Sequence, residues 1–343
     1  MLFNPNYISG LVQADGSFFV TISKNPKSKY GLRIRATFTI TQNLDSIGIL
    51  EQVQSYFKCG NVFINKKRGS AEFVVSSILD LQKWIIPHFI NYPLHCSKQR
   101  SFLIFLSIVD LLDKKAHYNK EVFASLIKMA FTMNEVTNRG SESLEELLGF
   151  LGSETFQIEI KEPKIKDYPL NSHFLVGLIE GDGSFHISFK ARKVLDFGFH
   201  ITQHISSLPL LEKIQQLLGC GTLQNKSQTV IRFQIDSLNA IQQNLIPFMS
   251  KHQLHSVKSE HFSIFKQVIN LVNLKEHQTN EGFLKIVNLA YNMNLEGKRR
   301  KLTKEEYLKS VDLEAPFYRR SQESGGVGIT IKSGEGLFIY CFL

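Results

Sequence analysis

The chain repeats itself, and that repetition narrows the folds open to it more than any other property. At an offset of 160 residues, set by Lys98 and Lys258, Ile86-Pro87 matches Ile246-Pro247 and Leu94-His95 matches Leu254-His255. At the same offset Phe102 matches Phe262, Ile104-Phe105 matches Ile264-Phe265, His117 matches His277, and Met133-Asn134 matches Met293-Asn294. One residue further apart, Thr41-Gln42 matches Thr202-Gln203 and Cys59-Gly60 matches Cys220-Gly221. Near the start, Asp15-Gly16-Ser17-Phe18 matches Asp182-Gly183-Ser184-Phe185 at an offset of 167. A loop of different length explains the change of offset. Self-similarity of this kind means one structural unit built twice.

The repeat divides the chain into a first unit over residues 1–134, a linker over 135–166, a second unit over 167–310 and a peripheral or flexible tail over 311–343. The linker is polar, with a short helix expected from Ser143 to Phe150. The tail is broken by Ser324-Gly325-Gly326 and Ser333-Gly334-Glu335-Gly336. Each unit reads alike. A short apolar helix ends at Asp-Gly. A strand follows, in which Phe18, Val20 and Ile22 alternate with Thr21 and Ser23, and then a second over Arg33 to Thr41. A helix over Asp45 to Phe57 is expected to stop at Cys59-Gly60. A hairpin around Arg68-Gly69-Ser70 and closing helices complete an α+β pattern of the form αββαββα.

Composition narrows the classes. Of 343 residues 43 % are hydrophobic and 27 are Phe, enough for real cores and too much for a disordered chain. Forty Lys and Arg against 31 Asp and Glu leave a net charge of +9, which favours a polyanionic partner, nucleic acid before an anionic membrane surface. A basic enzyme without such a partner fits the charge equally well. Cys59, Cys96, Cys220 and Cys341 form no C-x-x-C pair, which argues against a zinc site or a disulfide framework and suits a reducing compartment. The start, Met1-Leu2-Phe3-Asn4-Pro5, does not read as a signal peptide. Phe102 to Leu112 is too short to span a bilayer and reads as a buried helix. Trp84 is expected in the core, and His95 and His255 are expected in packing or loop roles.

Two segments carry the chemistry: Ile8-Ser9-Gly10-Leu11-Val12-Gln13-Ala14-Asp15-Gly16 and Leu175-Val176-Gly177-Leu178-Ile179-Glu180-Gly181-Asp182-Gly183. Gly10 and Ala14, like Gly177 and Gly181, are four apart, so small residues line one helix face and let two backbones approach. Two such helices packed on each other would bring Asp15 and Asp182 together. A helix C-terminus offers free carbonyls and the negative end of the dipole, and an added carboxylate makes a site for a hard cation such as Mg²⁺. Metal ions so placed suit in-line phosphoryl displacement. A single Asp-Gly is an ordinary turn. Two copies, each opening a repeat and each followed by Ser-Phe and a strand, are not.

These segments resemble the LAGLIDADG motif of a homing endonuclease family. The resemblance covers about residues 4–310 and extends to the strand ends Phe38 to Gln42 and Phe199 to Gln203 and to the Lys after each Leu-His turn. It implies two αββαββα units with a saddle of antiparallel strands for DNA and the two motif helices at their interface. It implies that Asp15 and Asp182 bind a catalytic divalent metal, Mg²⁺ or another such as Mn²⁺, helped by the carbonyls of Ala14 and Gly181. It gives Gln42, Gln203, Lys98 and Lys258 the ordering of a nucleophilic water and the steadying of phosphate charge. One position departs from the pattern: Gln13 stands where the family name has its earlier acid, while the second motif keeps Glu180. That position is not the family's main metal ligand, so cleavage is expected to survive.

The resemblance also implies a strand ribbon in the major groove, where base pairs are distinguishable. Alternation then offers Thr21, Ser23, Asn25, Arg33, Arg35, Thr37, Thr39, Lys66 and Arg68 from the first unit. From the second it offers His186, Ser188, Lys190, Arg192, His200, Gln224, Lys226, Arg232 and Gln234. The sets differ, so an asymmetric double-stranded DNA site is expected, cut once per strand by a monomer. An RNA maturase of the same fold, acting on intron RNA, is the alternative; a DNA-binding regulator that does not cut is another. A membrane-surface protein is disfavoured because no basic amphipathic helix stands out. A mobile intron in a mitochondrion or chloroplast is the implied home of the gene, and the lack of an Arg- and Ser-rich transit segment fits synthesis inside the organelle.

Overall fold

The computed structural model describes residues 3–134, 143–152, 160–190, 194–293 and 301–311, with only the backbone of Lys190 and Val194. By contacts the chain forms two compact units, Met1–Gly181 and Asp182–Leu343.

Unit 1 begins with helix α1 (Pro5–Asp15). Asn4 caps it, its side chain accepting the Asn6 N–H, and Pro5 occupies the first turn, where a missing N–H costs nothing. The helix is buried continuously from Tyr7 to Gln13, as expected for one that is apolar on most faces. Strands β1 (Gly16–Lys24), β2 (Leu32–Asn43), β3 (Asn61–Asn65) and β4 (Ser70–Val75) form an antiparallel sheet in the order β1-β2-β4-β3, with helix α2 (Ile47–Phe57) between the hairpins. Phe18, Phe38 and Phe73 project from one sheet face into the core. Phe18 meets Phe38 at 5.1 Å and, from the long helix α5 (Cys96–Asp113), Phe105 at 5.2 Å between ring centroids. The apolar run expected to be a buried helix is the buried face of α5. Short helices α3 (Ile78–Asp80) and α4 (Ile86–Asn91) flank a π turn over Leu81–Ile85, just before Pro87, which has no N–H to continue a regular ladder. Helix α6 (Lys120–Thr132) follows.

The linker region is not a bare tether. Helix α7 (Leu144–Gly149) starts with a capping box, Ser143 and Glu146 each bonding the other's backbone N–H. Leu147 and Leu151 are buried against Leu32, Phe123, Ala124 and Ile127. Further along, Arg100 grips Glu162 through two hydrogen bonds of 2.8 and 2.6 Å, and the Lys166 N–H donates to Gln99 at 2.8 Å. Helix α8 (Ser172–Asp182) then packs on α1. A methyl group at Gly10 would strike the Phe174 carbonyl, and one at Gly177 would strike the Tyr7 carbonyl. The contact division therefore falls at the end of the second motif helix, after the linker rather than before it.

Unit 2 repeats the plan with β5 (Gly183–Lys190), β6 (Val194–His204), helix α9 (Leu208–Leu218), β7 (Thr222–Asn225) and β8 (Val230–Ile235), in the sheet order β5-β6-β8-β7. Short helices α10 (Leu238–Ala240) and α11 (Ile246–Lys251) flank a second π turn, before Pro247. Helices α12 (Lys258–Asn273) and α13 (Asn280–Met293) follow. Phe185, Phe199, Phe262 and Phe265 fill the places of Phe18, Phe38, Phe102 and Phe105, so much of the repeated sequence is core. Helix α14 (Lys304–Ser310) lays buried Tyr307 against Phe189. The expected tail beyond Val311 lies outside the described residues.

Two expectations are corrected. Helix α2 stops at Lys58, which takes the left-handed conformation at φ 56°, and not at Gly60. Its counterpart α9 stops at Gly219, φ 68°, the residue type that adopts this conformation without a Cβ clash. Gly60 is needed for another reason, since a Cβ there would meet Phe73 and Val75. Trp84 is half-buried rather than core, with the ammonium groups of Lys58 and Lys83 over its ring at 5.7 and 4.9 Å.

Candidate active site and nucleic-acid interface

The first pocket is assembled by strand register. Gly16 of β1 pairs with Ile40 of β2, so β2 overruns the start of β1 by the length of Thr41-Gln42. That overrun carries Gln42 to the end of α1, where its Nε2 donates to Asp15 Oδ2 at 2.6 Å. At the start of α5, Lys98 sends its Nζ to the carbonyl oxygen of Gly16 at 2.5 Å. The Gly16 N–H reaches back to the Val12 carbonyl and closes the helix, which leaves the Ala14 carbonyl in the last turn, without a helical partner.

Unit 2 builds the same pocket from its own residues. Gly183 pairs with Ile201, so β6 overruns to Gln203, whose Nε2 donates to Asp182 Oδ2 at 2.5 Å. Lys258, the first residue of α12, sends its Nζ to the carbonyl of Gly183 at 2.7 Å and is buried. In each unit, then, acid, amide and ammonium meet at the junction of helix and sheet. Within unit 1, Gly181 lies against Ala14 and the Asp15 carboxylate, so closely that an added Cβ would collide with both.

The motif position that differs between repeats is structural in both. Gln13 is buried, accepts the His95 N–H at 2.9 Å and donates to the His95 carbonyl at 3.3 Å. Glu180 is also buried and accepts the Tyr7 hydroxyl at 3.0 Å, which ties α8 to α1. Burial first, and then the neighbouring Glu180, push the Tyr7 phenol well above its ordinary value. The His95 ring packs edge-on against Phe174 at 4.8 Å, the packing role expected of it, while His255 is exposed. Sequence reading overlooked His88, which is buried between Ser9 Oγ at 3.2 Å and the Tyr56 hydroxyl at 3.1 Å. Burial lowers its pKa to about 3, so it is neutral at pH 7.

The pocket donors fit a hard divalent cation: a carboxylate and a neighbouring backbone carbonyl, both oxygen, at the negative end of a helix. No group of three His, Cys, Asp or Glu able to hold a metal occurs among the described residues.

The sheet face opposite the Phe core is polar in both units. In unit 1, Thr21, Ser23, Arg33, Arg35, Lys66 and Arg68 are exposed and Asn25 is half-buried, while Thr37 and Thr39 are buried. Thr39 lies in mid-sheet, flanked by Ser17 on one side and Val74 on the other, and Thr37 pairs with Phe19 of β1. In unit 2, Gln224 and Lys226 are exposed and His186, Arg232 and Gln234 half-buried, while Ser188 and His200 are buried. The backbone of Lys190 ends β5, and Arg192 lies outside the described residues. Arg232 donates to Thr202 Oγ1 at 3.1 Å and Gln234 to Asp236 at 2.8 Å. The His186 and His200 rings are 5.4 Å apart. Burial lowers their pKa values to about 4 and about 3, with Arg232 lowering both further and Asp196 opposing at His186. The Oγ atoms of Ser184 and Ser188 are buried without a hydrogen-bond partner among the described residues. Register also places Asn61, Phe63, Glu72 and Asp196 on these faces. Alternation could have found all four, but a search for polar side chains that suit a polyanion passes over Phe63, Glu72 and Asp196.

A duplicated sheet-and-helix plan, each copy preceded by a glycine-bearing helix that ends on an aspartate, defines the two-repeat LAGLIDADG class. The chain belongs to the LAGLIDADG endonuclease family, whose sequence model matches residues 8–109 and 175–269. It is 30 % identical over 299 residues to the probable intron-encoded endonuclease 2 of Neurospora crassa, covering 83 % of this chain and 64 % of that protein. It is 26 % identical over 267 residues to the probable intron-encoded DNA endonuclease 1 of Mycosarcoma maydis, covering 76 % of this chain and 97 % of the relative. Among solved structures it is similar to the I-LtrWI LAGLIDADG homing endonuclease bound to target DNA, with a TM-score of 0.77, 29 % identity and coverage of 84 % of this chain and 97 % of that one. The chain thus spans somewhat under two thirds of the Neurospora relative and nearly all of the Mycosarcoma one.

Proposed function

We propose that this protein is a site-specific double-stranded DNA endonuclease that hydrolyses one phosphodiester on each strand of a long, asymmetric site, using divalent metal ions. One observation carries the reading: the same arrangement recurs in both repeats, with Gln42 donating to Asp15 and Lys98 to the carbonyl of the next residue, Gly16, and with Gln203 donating to Asp182 and Lys258 to the carbonyl of Gly183. Asp15 and Asp182, with the carbonyls of Ala14 and Gly181, would hold Mg²⁺ or a similar ion such as Mn²⁺. When bound, that ion lowers the pKa of a water and neutralises charge on the scissile phosphate.

The remaining steps belong to the chain. Each lysine, held at the carbonyl next to its aspartate, brings a positive charge to where phosphate charge grows. Each glutamine amide, already donating to the carboxylate, orients a water beside it. The exposed bases of unit 1 and the Gln, Arg and Lys side chains of unit 2 meet phosphates and base edges of the major groove. Two repeats in one chain make a monomer sufficient, and their unlike faces imply an asymmetric target. The names of the relatives, intron-encoded endonucleases, support a mobile intron as the gene's home, with the protein working inside a mitochondrion or chloroplast. They also favour cutting over maturase action on intron RNA.

The test is to incubate the full chain with a randomised duplex library and Mg²⁺, then sequence the ends. The expected result is one long non-palindromic site cut on both strands, with cutting abolished by EDTA. Tight binding without cutting under every metal tried would reassign the protein as a DNA-binding regulator.

A further inference from the structure

The outer edge of the first sheet differs from its counterpart in kind. Phe63 of β3 is 57 % exposed. Its register partner is Glu72 of β4, and Glu72 pairs in turn with Thr41 of β2. Directly opposed residues share a sheet face, so Phe63 and Glu72 stand on the polar face with Thr41. The matching register in unit 2 reads Gln224, Arg232, Thr202. The threonine is kept; the other two places change from amide and guanidinium to phenyl and carboxylate.

A carboxylate is out of place on a surface that meets a polyanion. Nearby, in the turn between β3 and β4, Lys66 and Arg68 are exposed, and further along β2 so are Arg33 and Arg35, all suited to phosphate, while Glu72 has no hydrogen bond or ion pair to any described residue. Phosphate offers a carboxylate no donor. The donors that duplex DNA shows in its major groove are the amino groups of adenine and cytosine. The same groove shows one apolar feature, the thymine C5-methyl, which a phenyl ring can cover. An A·T pair presents amine and methyl together. Opposed side chains on paired strands start about 5 Å apart, close enough to meet one base pair jointly.

We propose that Phe63 and Glu72 form a reading pair for a single A·T base pair in the half-site facing unit 1. Phe63 packs on the thymine methyl, and Glu72 accepts from the adenine N6 amine. A G·C pair supplies an amine but no methyl and is rejected. At the matching place in unit 2, Arg232 and Gln224 read purine edges, so the two half-sites diverge there. This rests on the endonuclease reading above.

The test uses the full chain and its mapped target, with binding measured in EDTA so that no cutting intervenes. Each thymine is replaced in turn by deoxyuridine, which removes only the methyl group. One thymine in the unit 1 half-site should then cost roughly three- to fivefold in affinity, the worth of one buried methyl. Phe63→Ala should bind the thymine and deoxyuridine targets equally, and Phe63→Leu should keep part of the difference. Glu72→Ala should lose the distinction between adenine and purine, which lacks only the N6 amine, at that pair, bind random duplex more tightly, and leave the unit 2 half-site profile unchanged. A full thymine preference in Phe63→Ala, or no methyl effect at any position, overturns the pair while leaving the endonuclease reading intact. Failure to bind duplex DNA at all overturns both.

Discussion

The two repeats agree in their pockets and part company on their faces. Gln42 and Gln203 donate to equivalent carboxylates, and Lys98 and Lys258 to equivalent glycine carbonyls. On the sheets above, Phe19 and Thr39 of the first unit are replaced by His186 and His200, Arg35 by Asp196, and Glu72 by Arg232. Chemistry at a phosphodiester is the same on either strand, so nothing in it calls for the pockets to differ. Sequence along a duplex is not the same in its two halves, so the faces can diverge without disturbing the core beneath. The first face is open and basic, whereas the second is more enclosed, with its histidines held neutral by burial.

If the pockets are equivalent, Lys98→Ala and Lys258→Ala should each slow single-turnover cleavage by roughly 100- to 1000-fold, with binding affinity little changed. A large effect from one and none from the other would break the equivalence. On the faces, Arg35→Ala should cost about 1–3 kcal/mol at one or two base positions and flatten preference there, measured on a target library. A uniform loss on every sequence would make Arg35 a phosphate contact instead.

The buried histidines give a smaller, pH-dependent difference. His88 and His200 have folded-state pKa values of about 3, below the ordinary 6.5. A depressed histidine pKa contributes nothing above 6.5 and destabilises as pH falls from there towards 3, because the unfolded chain takes up the proton first. At pH 5.5 each should cost about 1.4 kcal/mol relative to pH 7 or above. Thermal melts at the two pH values should show the loss shrinking in His200→Thr, which installs the residue unit 1 carries. The smallest effect concerns the helix stops. Lys58→Gly, copying Gly219, should stabilise unit 1 by up to about 1 kcal/mol, since a lysine at φ 56° pays for its Cβ. An unchanged denaturation midpoint would mean the strain is relieved elsewhere.

Much of the pocket was legible in the sequence because it is written twice: Asp-Gly-Ser-Phe, Thr-Gln and the lysine after Leu-His recur, and the fold brings them into contact. Alternation also named the polar faces. It could not rank depth, because burial across a sheet depends on which strands flank a residue. Thr39 sits between β1 and β4 and is covered, while Arg35, opposed to Thr21 beyond the reach of β4, is open. The short helix expected in the linker is present as α7, but its anchorage was not legible, because the patch of Leu32, Phe123 and Ile127 that receives Leu147 and Leu151 comes from distant parts of the chain. Residue type puts Trp84 in the core, yet its half-buried ring sits under the adjacent Lys83 and under Lys58, which sequence separation hides.

The central claim is that both aspartates are metal-holding acids for strand cleavage. It is tested most directly by giving Asp15→Asn and Asp182→Asn, with wild type beside them, a supercoiled plasmid carrying the mapped site in Mg²⁺. The expected result is linear product from wild type and none from either variant, with site affinity retained in both. Linear product from either variant at the wild-type rate would contradict the account.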